Sequence, residues 1–172
     1  VAALAALSLV EGGKIGLDED VNIYLKDWKV EENKFTVQEK VTLRRILSHS
    51  AGLTVHGFGG YASDQEVPTT IQVLNGEDPA NSGRIFPDTI PGVQYRYSGG
   101  GYTIMQKMLC DITGKEFPEL MEELVLSKIG MDQSTYGQPL LEGLQENAAA
   151  GHRGNGEMIE GRWHTYPEMA AA

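Results

Sequence analysis

A chain of 172 residues with 14 basic and 24 acidic side chains carries a formal charge of −10, and its length suits one domain or a large piece of one. That balance excludes a phosphate-backbone (nucleic-acid) partner, which needs clustered Lys and Arg to displace counterions. About half the residues are apolar once glycine is counted and tyrosine set aside, enough to bury a core, yet no apolar run reaches the ~20 residues of a membrane span.

Val1–Glu11 is rich in Ala and Leu, with Leu4, Leu7 and Val10 at helical spacing and Gly12-Gly13 as its stop. Apolar nearly all round, this helix is expected to be buried on several sides. No basic segment or initiator Met precedes it, so it reads as a helix entered partway rather than as a signal peptide. Gly16 to Asp20 form an acidic turn into a short helix near Val21–Leu25. Thr42 is a good N-cap for Leu43–Ser48, whose inward residues are Leu43, Ile46 and Leu47. Gly57 to Pro91 is a long loop rich in Gly, Pro, Asp and Asn, with one brief helix around Thr70–Leu74, and such loops are usually functional or mobile.

After the Pro91-Gly92 turn, Val93, Tyr95 and Tyr97 alternate with Gln94 and Arg96, which predicts an extended segment. Ser98 caps a helix running to about Thr113, with Met105, Met108, Leu109 and Ile112 as its core stripe and Gly114 as terminator. Its Cys110, the only cysteine, forms no internal disulfide and is expected to be a buried, inert thiol. A single cysteine fits periplasmic, secreted and cytoplasmic proteins alike. A second helix follows at Phe117–Lys128, with Leu120, Met121, Leu124 and Val125 inward. Gly154-Asn155-Gly156 is a turn between two short candidate strands.

Chemistry concentrates in Pro91-Gly92-Val93-Gln94-Tyr95-Arg96-Tyr97-Ser98-Gly99-Gly100-Gly101-Tyr102. Three glycines in the first turn of a helix each cost about 1 kcal/mol against alanine. Sequences break local rules in this way at functional sites or where backbones pack closely. Tyr97 stands where the chain changes from extended to helical, so its phenol can project from the helix end into a cleft. By itself the residue reads more simply as a core aromatic.

That stretch resembles the second motif of the class C β-lactamase and penicillin-binding-protein family, which also takes in family VIII-type esterases. Val41-Thr42-Leu43-Arg44-Arg45-Ile46-Leu47-Ser48-His49-Ser50-Ala51-Gly52-Leu53 is similar to the family's preceding segment. Gly101 to Lys115 resembles its following helix, and Leu126-Ser127-Lys128-Ile129-Gly130-Met131 its Pro-Leu-Gly-Met turn. The resemblance implies an α+β, β-lactamase/transpeptidase-like fold. Residues 1–172 would be its central, mainly helical part, with little of the antiparallel sheet.

The resemblance also implies a serine hydrolase that acts through an acyl-serine intermediate on an ester, β-lactam or peptide, without a cofactor. Tyr97 is then the catalytic base and proton donor, and Ser98 and Gly99 fall at substrate-binding positions. The family's Ser-x-x-Lys motif is expected just before Val1 and its Lys- or His-[Thr/Ser]-Gly motif beyond Ala172, so residues 1–172 alone are expected to be inactive. A free phenol has a pKa of about 10, and serving as a base near neutrality needs a shift of roughly three units from nearby cations. In the family those cations are the lysine of the first motif and the basic residue of the third. The family's second motif is commonly Tyr-x-Asn, whereas here Gly99 follows Tyr97-Ser98, which puts amide recognition in doubt and leaves room for a bulkier ester. The alternative is a catalytically silent binding or scaffold member of the same fold.

Other signals are weaker. His49, His56, His152 and His164 lack metal-ligand spacing, so hydrogen-bonding roles are expected, with His49 supporting the loop after its helix. Gly57-Phe58-Gly59-Gly60-Tyr61 lacks the Gly-Lys-[Ser/Thr] ending of a phosphate loop. Trp163-His164-Thr165-Tyr166-Pro167 is aromatic enough to edge a pocket, though plain packing is the simpler reading.

Overall fold

The computed structural model describes residues 1–171. Among them are six α-helices: α1 (Ala2–Glu11), α2 (Leu43–Leu47), α3 (Thr70–Asn75), α4 (Gly99–Thr113), α5 (Phe117–Met121) and α6 (Glu142–Gln145). A 3-10 turn, Val21–Ile23, is capped by the Asp20 carboxylate, which accepts from Asn22 N–H. Pairing between extended segments among the described residues is confined to isolated antiparallel bridges, joining Asp20 to Thr42, Leu53 to Pro87, Tyr61 to Thr165 and His152 to Met158. The last flanks the Gly154-Asn155-Gly156 turn, so the two strands expected there reduce to a single bridge.

α4 is the axis of the fold. It begins where the Ser98 side chain accepts from Gly101 N–H and ends at Gly114, whose φ of 70° turns the chain left-handed. Ile104, Met105, Met108 and Leu109 are fully enclosed, while Ile112 is only half-buried. Burying a side chain of that size stabilises by about 1.5–3 kcal/mol. α2, α3 and α5 all pack on α4. Lys107 of α4 pairs with Asp111 at 2.5 Å and with Asp27, and Asp111 accepts from Lys26 N–H at 3.0 Å, which ties the early loop to the helix. Cys110 is partly buried, and burial pushes its thiol up to about 12, so it is inert as a nucleophile.

Two helices depart from the sequence reading. In α1 the enclosed residues are Ala2, Ala5, Ala6 and Leu9, whereas Leu4 and Leu7 are exposed and Val10 is half-buried. Small alanines let α1 lie close against α5 and the turn after it, while Leu4 and Leu7 edge an open groove shared with Leu124, Val125 and Ile129, which follow α5. The second departure follows α5, which runs on through a wide π-type turn, Glu122–Leu126, and a 3-10 turn, Ser127–Ile129. The wide turn rotates the side chains beyond it, so Val125 and Leu126 are both buried and Leu124 only partly.

The last segment is strapped to α4 by one amide. Gln106, itself buried, donates Nε2–H to Pro167 O at 2.8 Å and accepts from Ala170 N–H at 2.9 Å. Between those points Glu168 is fully enclosed, with no protein hydrogen-bond partner for either carboxyl oxygen. Burial pushes its carboxyl above the usual range. A carboxyl raised in the native state contributes its stability in full at acid pH and loses it as pH climbs through the native value. Stability should therefore fall as pH rises through and above the carboxylate range, and Glu168→Gln should flatten that fall. Urea denaturation of both proteins from about pH 4 to about pH 8 measures the two slopes. Equal slopes would remove Glu168 as the cause.

Candidate active site at the start of α4

The backbone leading into α4 is held from both sides. Gly92 N–H donates to Ser50 O and Arg96 N–H to His49 O, each at 2.7 Å, so the segment lies along the end of α2. The Ser98 hydroxyl, 2.8 Å from Thr54 O and 3.1 Å from Val55 O, donates to this carbonyl pair, and its oxygen accepts from Gly101 N–H at 3.1 Å. Gly99 N–H donates to His56 O at 3.2 Å and Gly100 N–H to Val55 O at 3.1 Å. The first turn of α4 thus satisfies its free donors on another stretch of backbone, which only a close approach allows.

The glycines make that approach. A Cβ on Gly100 would stand 2.9 Å from both Thr54 O and Ile85 Cγ2, and one on Gly101 3.3 Å from Leu53 Cδ1. On Gly99 it would meet His56 O at 3.2 Å and Phe58 Cε2 at 3.3 Å, and Gly99 does not use the left-handed region. Close packing therefore accounts for the glycine run.

Tyr97 emerges from this frame 48% exposed, with its carbonyl bonded to His56 Nδ1. Ser98 is buried beside it with its hydroxyl engaged, and Gly99 is buried behind. His49 lies against the phenol, with ring centroids 4.3 Å apart. It also stacks on Tyr102 at 5.2 Å and meets the edge of Tyr95 at 6.1 Å. Burial, aided by the neighbouring Tyr97, pushes the Tyr102 phenol up and disfavours its ionisation. The adjacent cation, Arg96, turns away to Leu53 O and to Asp88, whose carboxyl it holds below the usual range.

The structure thus brings Tyr97, Ser98 and Gly99 together with two histidines whose proximity no sequence spacing signals. The expected hydrogen-bonding roles hold for His56, for His152, which contacts Ala150 O, and for His164, which contacts Gly59 O. Among the described residues no group of three His, Cys, Asp or Glu is placed to hold a metal ion. No helix among them is long and apolar enough to cross a membrane. The aromatic segment lines a cleft of its own, about 340 Å³, with Tyr136, Trp163, Tyr166 and Met169 in its walls. Tyr97 is not part of that wall. Gly59, which accepts from His164, and Tyr61, which pairs with Thr165, link the glycine-rich loop to the same segment.

The helix-centred architecture and the tyrosine at its capped end define a β-lactamase/transpeptidase-like fold, and solved structures share it. One is a β-lactamase/D-alanine carboxypeptidase from Yersinia pestis in complex with citrate, 18% identical, with a TM-score of 0.68 over 99% of this chain and 44% of that one. An octameric penicillin-binding protein homologue from Pyrococcus abyssi is 22% identical, with a TM-score of 0.64 over 96% of this chain and 37% of that one. EstCE1, a hydrolase with promiscuous acyltransferase activity, is 22% identical, with a TM-score of 0.65 over 92% of this chain and 42% of that one. The chain thus spans less than half the length of these relatives. The beta-lactamase family model matches residues 1–171, and the chain belongs to that family.

If the glycines serve close packing, filling one of them should cost stability. Gly100→Ala should destabilise by about 1–3 kcal/mol, the usual penalty of overpacking, because Thr54 O is backbone and cannot swing aside. A shift of the urea midpoint at constant slope would report it. An unchanged midpoint would mean that α4 has room to retreat.

Proposed function

We propose that residues 1–172 are the central part of a hydrolase that cleaves esters, β-lactams or peptides through an acyl-serine. Tyr97 is its general base and acid, and Ser98 and Gly99 bound the substrate beside it. The observation that carries this reading is the exposed phenol at the capped end of α4, on a backbone fixed at His49, Ser50, Thr54 and Val55. The nucleophile and its lysine lie outside these residues in this reading, and the isolated stretch is inactive.

The chemistry runs in two matched halves. The ionised phenol of Tyr97 takes the serine proton as the serine oxygen bonds to the substrate carbonyl carbon, and the carbonyl electrons move onto its oxygen. When that tetrahedral species collapses, the bond to the leaving group breaks and Tyr97 returns the proton to it. Water then repeats the attack on the acyl-serine, giving its proton to Tyr97, which passes it to the departing serine. In the complete protein, Tyr97→Phe should lower ester turnover on the order of 10²–10⁴-fold with little change in the unfolding midpoint. Full turnover in the folded variant would make Tyr97 a packing residue.

Two features favour esters within that class. Gly99 has no side-chain amide to offer an acyl carbonyl, and EstCE1, a hydrolase with promiscuous acyltransferase activity, shares the fold. The complete protein should show a higher kcat/KM for a short acyl ester than for a cephalosporin. Gly99→Asn would set its Cβ 3.2 Å from the backbone His56 O and 3.3 Å from Phe58 Cε2, so in a variant whose unfolding midpoint is kept the cephalosporin-to-ester ratio should rise several-fold. That gain corresponds to one hydrogen bond of about 0.5–1.5 kcal/mol. A parent that already prefers the cephalosporin would contradict the ester assignment.

A further inference from the structure

The imidazole that packs on the Tyr97 phenol belongs to His49, forty-eight positions earlier. It follows the last turn of α2 with φ of 52°, a left-handed conformation that costs a non-glycine residue free energy, though histidine adopts it more readily than most. That conformation, with the carbonyl of the same residue bonded to Arg96 N–H, places the ring against the phenols of both Tyr97 and Tyr102. Ser98 N–H donates to its Nδ1 at 3.3 Å. An amide donor at Nδ1 requires a lone pair there, so the ring is the neutral tautomer with its proton on Nε2.

We propose that His49 is a positioning residue for Tyr97, its neutral ring serving as the wall against which the phenol packs at a tilt while Nδ1 fixes the start of α4. The proposal rests on the reading of Tyr97 as the catalytic base. The imidazole touches no reacting atom and acts through the orientation of its neighbour. Three contacts of different kinds converge on it: the tilted Tyr97 ring, the stacked Tyr102 ring and the Ser98 backbone donor at Nδ1. The groups that face it are the phenols of Tyr95, Tyr97 and Tyr102 and the Ser98 amide, since the Arg96 guanidinium is directed to Asp88 and Leu53 O. Burial holds the His49 pKa below the usual imidazole value. Protonation would put N–H against N–H at Ser98, so acid should break the contact and free the phenol.

Two measurements on the complete protein test this. With ring-labelled histidine and tyrosine, the Tyr97 ring resonances should shift together with the His49 imidazole as pH is lowered, at a midpoint below about 6.5. His49 titrating at the ordinary value, with Tyr97 unmoved, would overturn the proposal without any appeal to activity. Separately, His49→Asn keeps a residue that tolerates the left-handed backbone but removes the ring. It should lower kcat for an ester on the order of 10–100-fold, the cost of a misplaced catalytic group, with KM nearly constant. An unchanged kcat in the folded variant overturns it as well. If Tyr97→Phe retains full activity while the coupled titration is seen, the catalytic reading of Tyr97 fails and the stacking stands.

Discussion

Everything around the candidate site depends on how closely the first turn of α4 approaches residues 53–56. Four polar contacts join the two backbones, from Ser98, Gly99 and Gly100 to the carbonyls of Thr54, Val55 and His56. Each hydrogen bond is worth about 0.5–1.5 kcal/mol net, comparable to the roughly 1 kcal/mol that each glycine costs in a helix. The opposing strand of chain is strained as well. Val55, a β-branched residue, sits at φ 61°, a conformation that persists only where its surroundings over-determine it, at about 1–3 kcal/mol. Both departures from local preference therefore have one cause, the contact between backbones. A consequence for Tyr97 follows directly, because the residue before a rigidly seated helix start inherits its position.

What the sequence disclosed of this fold was mostly what local rules govern. Ser98 and Thr42 as caps, Gly114 as terminator and the enclosed Met105, Met108 and Leu109 each depend on neighbours within one or two turns. α1, expected to be buried on several sides, encloses Ala2, Ala5, Ala6 and Leu9 and leaves Leu4 and Leu7 exposed, because an all-round apolar pattern does not say which face the partners take. Through α5 and the turn after it the expected Leu120, Met121 and Val125 are buried and Leu124 partly so, and the π-type turn adds Leu126, which the helical period does not name. The long loop before Pro91 was legible only as a loop. Its contacts, Leu53 with Pro87 and Tyr61 with Thr165, join residues whose partners no periodicity names. Tyr97 was legible as a position on an element boundary, while its packing partner His49 was not. A ring contact across forty-eight residues depends on a left-handed backbone that the Ser-His-Ser-Ala-Gly run does not announce.

A neutral histidine beside the proposed base is a matter of electrostatics as well as fit. A phenol serves as a base only when cations favour its ionised form, and each unit of that shift represents about 1.4 kcal/mol. A cation stacked directly on the ring would stabilise the phenolate beyond use, because proton transfer is most effective when the base's pKa lies near the working pH. His49 avoids that outcome, since burial opposes its protonation. Arg96 avoids it by committing its charge to Asp88. Tyr102, raised by burial, keeps its proton. The described residues thus hold the phenol among neutral rings, and in the proposed reading the electrostatic part of its activation is left to groups outside them. Separating the two tasks has a physical advantage. A stack of neutral rings keeps its geometry while the phenol gains and loses its proton in each half of the reaction, whereas an ion pair at the same place would loosen and tighten with every transfer.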